Sequence, residues 1–100
     1  MNDYILFMHD DAVERAIADD GARWGQYLAA LRASGQFDGG SAIGAGILAG
    51  KGRSDKPAAA NVTGYLRVRA ESLEAAKRFL HGNPVYEAGG TVEVRELPKT

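Results

Sequence analysis

The sequence predicts a single α+β domain over residues 1–100, from the order of its segments and the period of their apolar residues. From Asn61 to Leu97 the chain reads strand, helix, strand, and a shorter version of this order fills the first half. In residues 61–69 every second position is apolar or glycine, which is the period of a strand with one buried face. Two such units give the order βαββαβ. That order predicts a four-stranded antiparallel sheet with both helices on one face, the ferredoxin-like arrangement.

The first strand is predicted at Tyr4–Met8, a continuous apolar run that is too short for a helix. In the predicted topology the first and third strands are central, and these are the two most apolar strands of this chain. A central strand that is apolar on both faces needs cover on both sides, and two helices can cover only one. We therefore expect a homodimer in which a second subunit covers the free face of the sheet.

Two amphipathic helices are predicted. The first covers residues 22–34, where bulky apolar residues recur at helical spacing, and it stops at Gly35. The second covers residues 71–81, where glycine at 82 can end the helix and Pro84 prevents it from resuming. Its predicted buried stripe consists of Leu73, Ala76, Phe79 and Leu80.

The remaining segments are assigned from their turn residues and their periodicity. Residues 12–20 predict a loop or a short helix, and residues 36–43 predict a second strand bent at its glycines. Residues 44–60 are rich in glycine and alanine and predict an irregular or hairpin-like excursion. The last strand is predicted at residues 91–97 after the Gly89-Gly90 turn.

Composition narrows the classes of function. The chain has no cysteine, so disulfides and thiolate chemistry are excluded. Its 12 basic and 13 acidic residues give a net charge of −1, which argues against nucleic acid or an anionic membrane as the main partner. We find neither a signal-peptide pattern nor an apolar run long enough to span a bilayer, and we expect a cytoplasmic protein.

A series of motifs extends over nearly the whole chain: Tyr4–Asp10, Tyr27–Gly35 followed by Gly39-Gly40, Gly64–Leu66, Ser72–Ala76, Asn83-Pro84 and Gly89–Arg95. In this order the motifs resemble the YCII-related domain family, including its DGPF branch. The resemblance implies a dimeric α+β barrel in which two sheets face each other, with a pocket between the sheet and the partner. It also implies a chemistry proposed for some members from a histidine–aspartate pair.

That pair is absent at the matching positions of this chain. Trp24 stands at the position that resembles the family histidine, and Asn83 stands where an aspartate precedes proline. Neither side chain is a general acid or base. The chain also departs from the Asp-Gly-Pro-Phe signature of the family. The nearest match is Ser54–Pro57, followed by Ala58 in place of phenylalanine.

Candidate functional residues follow from these patterns. His9, at the end of a central strand, is the candidate catalytic base, while His81 is read as a residue that caps a helix end. The candidate ligand-binding residues are Trp24, Ser41, Arg53, Tyr65, Arg67 and Asn83. The spacing of His9, Asp10, Asp11 and His81 matches no metal site, and the glycines of 44–49 lack the strand and helix of a dinucleotide site, so no metal or cofactor is predicted.

Two hypotheses of function remain open. The first is a small-molecule-binding or regulatory dimer with its pocket between the sheets. The second is a small enzyme acting on a ring or acid substrate, with His9 as the base and Arg67 or Arg53 binding an anion. Close approach of His9 and Asn83 in a concave site would favour the enzyme.

Overall fold

The computed structural model describes residues 1–99, and Thr100, the last residue of the predicted domain, lies outside them. Within this range the strands are β1 Asn2–His9, β2 Phe37–Ala42, β3 Ile47–Leu48, β4 Lys56–Pro57, β5 Val62–Ala70 and β6 Val92–Leu97. The helices are α1 Arg15–Ala18, α2 Gly21–Ala33, α3 Leu73–Lys77 and α4 Pro84–Glu87. A 3-10 turn, Arg78–Leu80, follows α3 directly.

The main sheet has four antiparallel strands in the order β2-β5-β1-β6. Leu6 of β1 lies opposite Leu66 of β5 on one side and Val94 of β6 on the other. The first and third predicted strands are therefore central, and the predicted ferredoxin-like α+β fold is confirmed. None of the helices between residues 1 and 99 is long and apolar enough to cross a membrane.

The two faces of the sheet differ in their cover. On the helix side, Tyr4, Leu6 and Met8 of β1 are at most 4% exposed. Their neighbours on β1 point to the other side, which no helix of residues 1–99 covers, and Ile5 and Phe7 there are only half-buried. We call this second side the open face; its side chains, placed by strand register, include Ile5, Phe7, Tyr65, Arg67, Glu93 and Arg95. His9 belongs to the same face through its contact with Glu93.

Helix α2 is the predicted first helix, and α1 is the short helix expected before it. The Asp20 side chain caps α2 by accepting hydrogen bonds from Ala22 N at 2.9 Å and Arg23 N at 3.4 Å. Tyr27 and Leu31 are buried against the sheet, at 5% and 3% exposure. On the same helix, Trp24 lies one turn before Tyr27, and Leu28 lies one turn before Leu31. Both side chains are only partly buried, and this leaves space beside them.

The second predicted helix is shorter than expected. Regular α-helix covers only Leu73–Lys77 and tightens into the 3-10 turn. Leu73 is 47% exposed, so its predicted place in the buried stripe is wrong, while Ala76 and Leu80 are buried as predicted. Leu73 is the first residue of this short helix, one turn before the buried Ala76.

Pro84 starts a helix, which corrects the expectation that it ends helical structure. Its missing N–H is tolerated in the first turn, where no intrahelical partner exists. Asn83 caps this helix, because its Oδ1 accepts hydrogen bonds from Val85 N at 3.0 Å and Tyr86 N at 3.1 Å. The excursion of residues 44–60 is hairpin-like as predicted, with β3 paired to β4.

Candidate functional site

A cavity of about 620 Å³ lies between α2 and the β2 edge of the sheet, on the helix side. It exists because the strands facing α2 contribute glycines there: Gly39 and Gly40 on β2, and Gly64 on β5. These residues supply backbone but no side chain to fill the space beneath the helix. Gly40 also lets β2 approach closely, since a Cβ there would collide with the backbone of Tyr65 and Leu66.

The walls of the cavity are largely apolar. They are formed by Met8, Trp24, Leu28, Phe37, Leu66 and Val85. Trp24 is fixed in place, because its Nε1 donates a hydrogen bond to the Ala18 carbonyl at 2.8 Å. Its ring also meets that of Tyr27 edge to face, with centroids 6.0 Å apart. The cavity therefore has a rigid aromatic wall.

Four polar residues border the cavity, Asp19, Arg32, Ser41 and Thr63, and of these Asp19 and Arg32 come from the helical layer. The Ser41 hydroxyl donates to the Ala42 carbonyl at 2.9 Å, so only its lone pairs remain free. Arg32 is exposed and makes no ion pair with any of residues 1–99. A few polar groups around an apolar space are typical of small-molecule sites.

The structure brings only some of the predicted binding residues to this cavity. Trp24, Ser41 and Tyr65 border it, but Tyr65 lies opposite both Phe7 and Ser41, so the side chains of Tyr65 and Ser41 belong to the open face. Arg67, two residues further along β5, is exposed on that same open face. Arg53 lines a separate hollow of about 210 Å³ in the segment between β3 and β4.

Asn83 is buried in the helical layer and does not border the cavity. Its Oδ1 caps α4, whereas its Nδ2 has no hydrogen-bond partner among the residues that the structure describes. The nearby Tyr27 hydroxyl donates to the Phe79 carbonyl at 2.5 Å. Burial raises the pKa of Tyr27, an effect that the neighbouring Asn83 side chain partly offsets. These contacts assign Asn83 a structural role.

His9 lies on the open face, where its Nε2 is 3.0 Å from Glu93 Oε1. The hydrogen bond from His9 is the largest effect and holds the pKa of Glu93 below its usual value. Desolvation opposes it, and a weaker contribution from Arg95 lowers the pKa further. The histidine is thus oriented by an ionised carboxylate. His9 and Asn83 lie on opposite sides of the sheet, so the convergence that would favour the enzyme hypothesis does not occur.

The sequence patterns do not predict the helix-side position of the cavity or the presence of Asp19, Arg32 and Thr63 at its border. A usable signal for Arg32 was present. Trp24, Leu28 and Arg32 are spaced by four residues along one helix, which places an aromatic, an aliphatic and a cationic side chain on one face. That face lies over strands rich in glycine, a combination that predicts a hollow.

No protein-family model matches the chain, and no curated protein matches it either. Among solved structures, the chain is similar in fold to an α+β protein over 98% of its own length and 95% of the other, with a TM-score of 0.58. That protein is 5-chloro-2-hydroxyhydroquinone dehydrochlorinase (TftG) from Burkholderia phenoliruptrix AC1100, in complex with 2,5-dihydroxybenzoquinone. At 20% identity the likeness shows a shared α+β fold.

Proposed function

We propose that this protein binds a small organic molecule in the cavity between α2 and the sheet, and that it does so as a homodimer joined through the open face. The cavity carries the proposal. Its volume of about 620 Å³ lies within the range of known ligand sites, roughly 300–1,000 Å³. Apolar walls and a few polar groups also match the usual composition of such sites.

The cavity is better suited to binding a small molecule in a regulatory role than to catalysing a reaction. His9 and His81 are the chain's histidines, and neither borders the cavity. The ionisable side chains there are those of Asp19 and Arg32, and they form no ion pair with each other that could serve as a catalytic arrangement. TftG, which shares the fold, has been captured with a ring compound bound.

The homodimer is proposed from the composition of the open face. Ile5 and Phe7 of β1 occupy its centre and are only half-buried. The alternate residues of β1 are buried under the helices. An apolar strip in the middle of an uncovered sheet is a surface that a second copy can cover symmetrically. The charged residues around it can pair across such an interface.

Filling the cavity tests the proposed binding site. Ala42 lies opposite Gly64, whose missing side chain would point at Met8, so the Ala42 side chain is on the cavity side. Ala42→Phe should weaken by at least about tenfold the binding of compounds that raise the melting temperature of the wild-type protein in an unbiased thermal-shift screen. Affinity is then measured by calorimetry.

Ala29→Phe is the matched control, because Ala29 is exposed on α2 and does not border the cavity. It should leave the affinities unchanged. If no compound stabilises the wild-type protein, or if Ala42→Phe binds the active compounds as tightly as the wild type does, the cavity is not a binding site.

The His9–Glu93 pair favours a second candidate, a small enzyme whose substrate lies between two open faces. A histidine oriented by a carboxylate is a common general base. On this hypothesis His9→Ala lowers turnover of a ring or acid substrate by about 10²-fold or more, with Arg67 binding the anion. His81→Ala, which changes an exposed histidine, is the control.

The two candidates give opposite results for the same pair of variants. Under the binding proposal His9→Ala leaves calorimetric affinities unchanged and Ala42→Phe weakens them. Under the enzyme hypothesis His9→Ala loses turnover, whereas Ala42→Phe retains it. Turnover is measured by chromatography of each stabilising compound after incubation with the protein.

A further inference from the structure

Arg32 is the cationic residue at the cavity wall, and its guanidinium has no charged partner. Among residues 1–99, Arg15, Arg23, Arg69 and Arg95 each pair with a carboxylate, whereas Arg32 makes neither an ion pair nor a side-chain hydrogen bond. Arg53, Arg67 and Arg78 also lack a carboxylate partner there, but they do not border the cavity. A guanidinium presents five N–H donors in a planar fork that matches a carboxylate. At the edge of an apolar cavity, this fork is available to an anionic group of a ligand.

Asp19 is the acidic residue at the same cavity, and it does not neutralise Arg32. The two side chains form no ion pair within 4.0 Å. The charge of Asp19 acts instead on Arg15, where it adds to the larger effect of Asp10 in raising the pKa of the guanidinium. An anionic group is therefore favoured at the Arg32 end of the cavity, while Asp19 can accept a hydrogen bond from a ligand hydroxyl.

The shape of the cavity favours a flat ligand. Its floor includes the backbone of Gly39, Gly40 and Gly64, with the Leu66 side chain beside Gly40 and the Met8 side chain beside Gly64. Its roof is formed by Trp24 and Leu28 from the helix above. A ring lying in this slot would contact peptide planes on one side and an indole on the other, and aromatic contacts of this kind are stabilising.

We propose that the cavity takes an aromatic carboxylate, with the carboxylate bound by Arg32 and the ring lying beside Trp24. This inference rests on the proposed function and specifies its ligand class. Trp24 anchors the apolar part, and Arg32, two helical turns further along α2, fixes its orientation. A neutral aromatic compound of the same shape would lack the charge-assisted hydrogen bonds and should bind more weakly.

The test uses 4-nitrobenzoate and its neutral isostere 4-nitrobenzamide as probes. Trp24 is the single tryptophan of the chain, and a nitroaromatic ring in contact with it quenches its fluorescence. Calorimetry gives the affinities. We expect 4-nitrobenzoate to bind the wild-type protein with quenching, and to bind roughly 10- to 100-fold more weakly to Arg32→Gln, the range expected for a lost hydrogen bond to a charged group.

Arg78→Gln is the matched control, since Arg78 is an exposed arginine outside the cavity and the change removes the same charge. It should bind 4-nitrobenzoate as the wild type does, and 4-nitrobenzamide should bind equally to all three proteins. Arg32 is exposed and has no side-chain partner, so its replacement should leave the melting temperature unchanged.

Equal binding of the carboxylate to wild type and Arg32→Gln would overturn the proposed ligand class, as would equal losses in Arg32→Gln and Arg78→Gln. Equal affinities of the wild type for carboxylate and amide would also overturn it, as would absence of quenching. In these cases the proposed binding function still stands if Ala42→Phe blocks other compounds. If the thermal-shift screen finds no stabilising compound at all, the binding function itself fails.

Discussion

Replacing Leu6 by alanine should lower the free energy of unfolding by about 2–5 kcal/mol. Leu6 has no exposed surface and sits at the centre of β1, between Leu66 of β5 and Val94 of β6. The substitution removes apolar contacts and leaves a cavity that neighbours held in two flanking strands cannot collapse to fill. For a domain of 100 residues, the melting temperature should fall by about 10 °C or more.

Leu73→Ala is the control for this prediction, because it makes the same chemical change at a leucine that is 47% exposed. We expect it to change stability by less than about 1 kcal/mol, since exposed positions outside the core rarely contribute more. Both values come from urea unfolding followed by circular dichroism. Equal losses in the two variants would mean that the helix layer does not pack on β1 as described.

The sheet could be predicted from the sequence because its signal is local. The alternation of apolar residues along β5 and the apolar run of β1 are properties of consecutive positions, and they fix both the strands and their buried faces. The central position of these strands followed from topology. The register shifts beside His9 and between Phe37 and Gly40 could not be predicted, because they depend on hydrogen bonds between strands distant in sequence.

The helices after β5 were harder to predict. Leu73 has the spacing of a core residue, yet its exposure is decided by where α3 begins relative to the sheet. Proline after a glycine predicts that the helix does not resume at Pro84, although the same residue favours a helix start when a capping Asn83 precedes it. Both outcomes depend on which position of a helix a residue occupies, and apolar periodicity does not report this.

The candidate site was only partly visible in the sequence because it forms between distant segments. Trp24 stands where the resembled motif has a histidine, and Ser41 lies 17 positions later in β2. The hollow between them depends on glycines of β2 and β5 lying beneath α2, which is a tertiary arrangement. Asn83 shows the converse: a polar residue at a motif position can serve the fold, here as a helix cap.

Replacing Phe7 by lysine should convert the proposed dimer into a monomer. Phe7 lies at the centre of the open face, with Tyr65 and Glu93 as its neighbours across the strands. In a single chain a lysine beside Glu93 forms a favourable cross-strand pair, so the monomer should remain folded. In a two-fold interface the same change removes the phenyl ring twice and buries two ammonium groups, which is unfavourable without matched partners.

We expect the wild-type protein to sediment at twice the chain mass of 10.6 kDa and Phe7→Lys to sediment at that mass, with a dissociation constant raised roughly a hundredfold or more. Leu73→Lys introduces the same charge at an exposed leucine on the helix side and should remain dimeric. A wild-type protein that is monomeric at tens of micromolar would remove the basis for a ligand site between two open faces. The cavity under α2 would be unaffected, because all of its walls come from one chain.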